Sequence, residues 1–145
     1  MRDFLQWAKA KLYVDKRLIA TYCVVYFLLG LAMNWFGTAM EIAKFVYWWQ
    51  VVTTYILYMI PISLLLRNLP FHAQYAYGLI AMCLLEFGGY VLESSYAYPH
   101  NILDQVFGER AFGLAMALFF ALYFPLGNWA VGKIHRLIFD VQADE

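Results

Sequence analysis

The sequence predicts an all-α polytopic membrane protein, a bundle of four transmembrane helices in one domain of residues 1–145. The chain is 64% hydrophobic and 14% charged, whereas a soluble domain is roughly half apolar and a quarter charged. The apolar residues fall into four continuous runs, each near the roughly 20 residues that cross a bilayer as a helix. Because these runs do not alternate between apolar and polar residues, a membrane β-barrel is not expected.

The boundaries of the four spans follow from aromatic belts and turn-forming residues. We expect spans at about residues 18–35, 45–66, 71–92 and 111–132. Trp35 closes the first run and Trp48 opens the second, as is typical of residues at the membrane–water boundary. Pro61 and Pro125 lie late in the second and fourth runs. Because proline removes a backbone N–H, each is expected to kink its helix.

Two shorter segments are predicted to be amphipathic helices at the membrane surface. Residues 1–17 mix basic and bulky apolar side chains, which favours a helix that lies on the membrane before the first span. A basic N-terminus that serves only to set topology is the alternative. The second amphipathic helix is expected in the outer loop between spans 3 and 4, with an apolar face made of Ile102, Leu103, Val106 and Phe107.

Lys and Arg residues predict the orientation of the bundle. The side that holds the N-terminus carries eight of them, namely Arg2, Lys9, Lys11, Lys16, Arg17, Arg67, Lys133 and Arg136. The opposite side carries only Lys44 and Arg110. The positive-inside rule then predicts an integral protein of a bacterial inner (plasma) membrane with both termini, including the tail of residues 133–145, in the cytoplasm.

Glu86 is the main candidate for a functional group. It lies well inside the third predicted span, and Glu93 follows seven residues later at the edge of that span. On a helix the two carboxylates share one face, about 10 Å apart. A carboxylate inside a membrane span is costly and by default indicates a functional site.

Other polar residues are predicted at the depth of Glu86, in the outer third of the membrane. Asn34, Gln50 and Thr53 come from spans 1 and 2. The outer loop adds Glu93, His100, Asp104 and Glu109 above them. Two interpretations remain open: a polar pocket around a proton-carrying or cation-binding Glu86, or a protonated Glu86 that only ties helices together through Gln50 or a threonine.

The sequence identifies no cofactor and no confident metal site. His100 and Asp104, four residues apart on the predicted surface helix, are weak candidate ligands, and Glu93 or Glu109 could complete such a site. A solvated or helix-capping pair is the more common interpretation of such residues. The chain has no nucleotide-binding glycine motif and no basic patch beyond the topogenic one, so nucleic acid is not an expected partner. No motif identifies a known family.

Three functions from different classes fit these observations. The first is a non-catalytic subunit or assembly component of a membrane complex or homo-oligomer, whose partners are lipids and other membrane subunits. The second is a small transporter or flippase that uses Glu86. The third is an enzyme acting on a lipid or isoprenoid at the outer leaflet through Glu86, Glu93, His100 and Asp104.

Overall fold

The fold is a set of long packed helices with a short β-ribbon at one end. A computed structural model describes residues 1–93 and 95–140. Its helices, in chain order, are α1 (Arg2–Leu12), α2 (Lys16–Ala39), α3 (Trp49–Val51), a π-helix (Val52–Met59), α4 (Ile60–Leu66), α5 (Phe71–Val91), α6 (Ile102–Phe107), a 3-10 turn (Glu109–Ala111), α7 (Phe112–Phe120) and α8 (Tyr123–Phe139). The strands are β1 (Ala43–Phe45) and β2 (Ser95–Ala97).

Three helical stretches are long and apolar enough to cross a membrane. They are Lys16–Ala39, Trp49–Leu66 and Glu109–Phe139. The prediction of a mostly helical protein is therefore confirmed, and the three stretches are consistent with an integral membrane protein. Helix α5 has 21 residues but is not among the three. Its polar side chains, His72, Gln74 and Glu86 among them, lower its mean hydropathy, so a fourth span remains a prediction.

The ends of several helices differ from the predicted span boundaries by up to two turns. Helix α2 continues to Ala39, beyond the predicted end at residue 35. The predicted second span began at residue 45, but Phe45 belongs to β1 and the helix begins at Trp49. The predicted tail from residue 133 is helical as far as Phe139. Residues 141–145, the acidic end of that tail, lie outside the described residues.

The β-ribbon joins the connection after α2 to the connection after α5 and was not predicted from the sequence. Strands β1 and β2 pair antiparallel, with Ala43 opposite Ala97. The ribbon is held against the end of α2, where the Asn34 side-chain oxygen accepts a hydrogen bond from the Phe45 backbone N–H at 3.1 Å. Gly37 lets the strand approach closely, because a Cβ there would lie 2.6 Å from the Ala43 carbonyl oxygen. The ribbon therefore fixes the two halves of the chain together at this end, which we call the ribbon end.

Proline shapes two of the long helices. In the second, the π-helix ends at Met59, two residues before Pro61, which has no N–H to donate. In the last long helix, α7 ends at Phe120 and α8 begins at Tyr123, two residues before Pro125. The Ala121 carbonyl, which Pro125 cannot bond, receives the Phe124 N–H at a long 3.4 Å. The expected kinks thus take the form of a π-helical segment and a break.

Large side chains fill the centre of the bundle. Tyr26, Tyr55 and Phe124 are almost completely buried, together with Met59 and Met82. The Tyr55 ring lies edge-on to the rings of neighbouring helices, with its centroid 5.8 Å from that of Tyr123. Helix α5 packs along α7 and α8, so it belongs to the bundle whichever way it meets the membrane.

Gly78 marks the closest approach of α5 to α8. A Cβ at this position would lie 3.0 Å from Cγ of the buried Phe124 ring and would contact the ring edge more closely still. Gly88, ten residues further along the same helix, has no atom within 4 Å of the equivalent point. Packing against Phe124 therefore requires a glycine at position 78, whereas packing does not require one at position 88.

We expect Gly78→Ala to destabilise the protein by about 1–3 kcal/mol, because the added methyl group overpacks the Phe124 contact. The measurement is an unfolding titration in mild detergent. Gly88→Ala is the matched control on the same helix, and it should be neutral or stabilising by up to about 1 kcal/mol through helix propensity. Equal effects of the two substitutions would contradict this packing.

Candidate functional site

Glu86 lies on the buried side of α5. It continues the buried positions Gln74, Gly78 and Met82, each four residues from the next, and is itself partly buried. Its carboxylate acts electrostatically on the Tyr55 hydroxyl. The described residues donate no hydrogen bond to this carboxylate. Glu86 is thus placed among aromatic rings in the half of the bundle nearer the ribbon.

The three predicted neighbours of Glu86 use their polar groups locally. Asn34 accepts from the Phe45 backbone, as described above. The Gln50 side-chain oxygen accepts from the Tyr47 N–H at 2.8 Å, and Gln50 forms a further interaction. The Thr53 hydroxyl donates to the Gln50 carbonyl oxygen at 3.1 Å. These bonds stabilise the ends of helices and the ribbon, and none of them reaches Glu86.

The predicted loop residues form a helix cap and an exposed rim. Asn101 caps α6 by accepting the Asp104 N–H at 3.0 Å, and its amide donates to the Asp104 carboxylate at 3.1 Å. His100 is exposed and has a positive φ of 57°, so it serves as the turn residue before that cap. Glu93 and Glu109 are exposed. No hydrogen bond or ion pair of the described residues links these side chains to Glu86.

Residues 1–93 and 95–140 provide no third ligand for a metal ion at His100 and Asp104. No group of three His, Cys, Asp or Glu side chains there is arranged to hold a metal ion. One oxygen of Asp104 is bonded to Asn101, and the other is buried without a hydrogen-bond partner. The pair is best described as part of the α6 cap.

The main polar cluster of the bundle lies elsewhere and was not predicted. The Asn128 side chain accepts the Tyr22 hydroxyl at 2.5 Å and donates to the Ser63 carbonyl at 3.1 Å and the Gln74 side-chain oxygen at 2.9 Å. The Ser63 hydroxyl also bonds the Tyr26 hydroxyl at 2.6 Å. These five residues come from α2, α4, α5 and α8, and we call them the four-helix network.

The four-helix network lies near the end of the bundle opposite the ribbon. Ser63 is three residues before the end of α4, and Gln74 is three residues after the start of α5. Gln74 is twelve residues from Glu86 on α5, or about 18 Å along the helix axis. The Gln74 amide also donates to the Leu69 carbonyl at 2.8 Å, which anchors the network to the turn between α4 and α5.

Counting depth from the helix ends would have found this network in the sequence. The same arithmetic that grouped Asn34, Gln50 and Thr53 with Glu86 also groups Ser63 with Gln74. Asn128 was not among the site residues predicted from the sequence, because it is not ionisable and lies away from the level of Glu86.

Basic side chains lie beyond the network at the same end. Arg67 is one turn past Ser63 and acts electrostatically on the Tyr22 hydroxyl. The Arg17 guanidinium lies 5.1 Å from the centre of the Phe139 ring, which also packs against His135 at 4.9 Å. Arg17 and Arg67 therefore place positive charge at this end of the bundle. At the ribbon end, Lys44 packs over the Tyr96 ring.

Comparison of the chain with protein-family models, with curated proteins and with solved structures finds no match.

We expect Asn128→Leu to lower the stability of the bundle by about 1–2 kcal/mol, near the upper end of values for interhelical hydrogen bonds in membranes. The reason is that Gln74 loses a partner at the same time as Tyr22 and Ser63. Thermal unfolding of the purified protein in mild detergent measures the effect.

The matched control is Asn34→Leu, which removes a single bond to the ribbon from a partly exposed residue. It should cost clearly less than Asn128→Leu. A larger loss at Asn34 than at Asn128 would mean that the four-helix network is not what holds the helices together.

Proposed function

We propose that the protein is a non-catalytic structural component of a membrane complex or homo-oligomer. The observation that carries this proposal is the four-helix network. Its amide and hydroxyl groups are bonded to one another across four helices, so they act as interhelical ties rather than as free groups for a substrate. Such a bundle is a small rigid body, suited to support neighbouring membrane helices.

The residues that were predicted to form a polar pocket also favour this proposal. The side chains of Asn34 and Thr53 form hydrogen bonds with backbone groups, which is a structural role. The outer surface carries many large apolar side chains, such as Leu84, Tyr90 and Trp129. In a membrane these can pack against lipid or against the helices of neighbouring subunits.

We further propose that all four long helices cross the membrane, with both termini on the cytoplasmic side of a bacterial inner membrane. The network supports equal depths for Tyr22, Ser63, Gln74 and Asn128, as alternating helix directions require. Arg17, Arg67 and the basic residues of α8 lie at this same end, which supports the positive-inside orientation. Helix α1, which packs near α4, would lie on the membrane surface there.

Transport is a second candidate, favoured by the geometry around Tyr55. This residue lies in the π-helix, its ring contacts Tyr123 at the break between α7 and α8, and Glu86 lies beside it. π-Helical segments and broken helices near an intramembrane carboxylate are recurrent features of transport sites. A proton or small cation would then be the species that Glu86 carries.

The substitution Glu86→Gln separates the two candidates. For a structural component we expect the particle mass in mild detergent, measured by light scattering, to match an assembly rather than one chain and to be unchanged by the substitution. We also expect the proton flux into vesicles that contain the protein to equal that of empty vesicles after a pH step, with or without Glu86.

A flux above that of empty vesicles, lost in Glu86→Gln while the particle mass and the melting temperature persist, would replace the structural proposal with transport. A single-chain particle that binds no other subunit would also contradict it. Thr53→Val serves as the control variant, because Thr53 lies near the same depth and bonds only local backbone.

A further inference from the structure

The outward face of α5 carries an apolar groove. It has a volume of about 690 Å³ and runs from Leu79 to Leu92, past Cys83, Phe87 and Gly88. Gly88 forms an open part of its floor, since nothing lies within 4 Å of the point where a Cβ would stand. Glu86 is not among the residues that line the groove.

The groove is somewhat longer than one membrane leaflet. Thirteen residues separate Leu79 from Leu92, which corresponds to about 20 Å of helix. One leaflet contributes about half of the roughly 30 Å hydrocarbon core. An extended acyl chain that lies along the groove would therefore end near the membrane surface at the ribbon end of the bundle.

A second cavity continues the groove at that surface. It has a volume of about 590 Å³, shares Phe87 with the groove and is lined by Gly108, Glu109 and Arg110. Both charged side chains are exposed, and neither is engaged in an ion pair within the described part of the chain. By contrast, Lys44 packs its ammonium group 5.3 Å from the Tyr96 ring centre. Adjacent opposite charges are thus available where the apolar groove meets the surface.

We propose that this groove and cavity bind one zwitterionic phospholipid of the phosphatidylethanolamine type. One acyl chain lies along α5 over Gly88, Arg110 donates hydrogen bonds to the phosphate, and Glu109 accepts from the ammonium group. Arginine suits a phosphate through its planar set of donors. Because Glu109 and Arg110 lie side by side with opposite charges, the site favours a headgroup that carries both charges over one that is only anionic. This inference does not depend on the proposed function.

The test is a count of bound lipid on the full chain. The protein is reconstituted in vesicles that contain equal amounts of phosphatidylethanolamine and phosphatidylglycerol and is then extracted in mild detergent. Native mass spectrometry measures the mass of the protein with its bound lipid. We expect one phosphatidylethanolamine per chain. Arg110→Gln should reduce this occupancy about tenfold, as expected for a lost charge-assisted hydrogen bond. Glu109→Gln should shift the preference towards phosphatidylglycerol, because the site loses its partner for the ammonium group.

Gly88→Leu fills the groove and should also release the lipid. Its matched control is Gly132→Leu, a glycine of α8 that likewise has nothing within 4 Å of a Cβ and lies outside both cavities. Melting temperatures confirm that the variants are folded, and the exposed Arg110 provides a test that does not depend on groove packing. The proposal is overturned if the wild type retains only detergent, if both lipids bind equally, or if Gly88→Leu and Arg110→Gln retain wild-type occupancy.

Discussion

The hydrogen bonds of Asn128 are the constraint on which the arrangement of the helices depends. Within a membrane the apolar surfaces of helices gain little from contacting one another instead of lipid, so polar contacts and close packing decide which helices associate. The single side chain of Asn128 bonds groups on three other helices, α2, α4 and α5. An amide is suited to this because it donates two hydrogen bonds and accepts on its oxygen. The register of all four helices at this depth follows from one side chain.

The two prolines act together with this constraint. Pro61 lies just before Ser63, and Pro125 just before Asn128, so each interruption of a helix is followed within one turn by a member of the four-helix network. The Tyr26 hydroxyl reaches the Tyr123 carbonyl at 3.3 Å, at the break itself. The network therefore adds interhelical hydrogen bonds beside each interruption, at the Ser63 and Tyr123 carbonyls.

Composition and the length of the apolar runs were sufficient to predict the class of fold. They could not give the boundaries, because aromatic residues such as Phe45 and Trp48 suit a membrane surface whether they lie in a strand or in a helix. The β-ribbon depends on pairing between segments more than fifty residues apart, which no local pattern reports. Predicted depth also does not fix what a side chain bonds: the Asn34 oxygen accepts from the Phe45 backbone and the Gln50 oxygen from the Tyr47 backbone.

The long separation in sequence between the members of the four-helix network has a consequence for biogenesis. Tyr22 and Asn128 are 106 residues apart, so their contact can form only after synthesis has passed Asn128. Until then the Gln74 side chain and the Tyr22 hydroxyl lack their hydrogen bonds to Asn128. The network therefore forms in a late step of folding, when the arrival of α8 fixes the earlier helices. A chain that stalls before that step would present unpaired polar groups within the bilayer, which is the kind of surface that membrane quality control can detect.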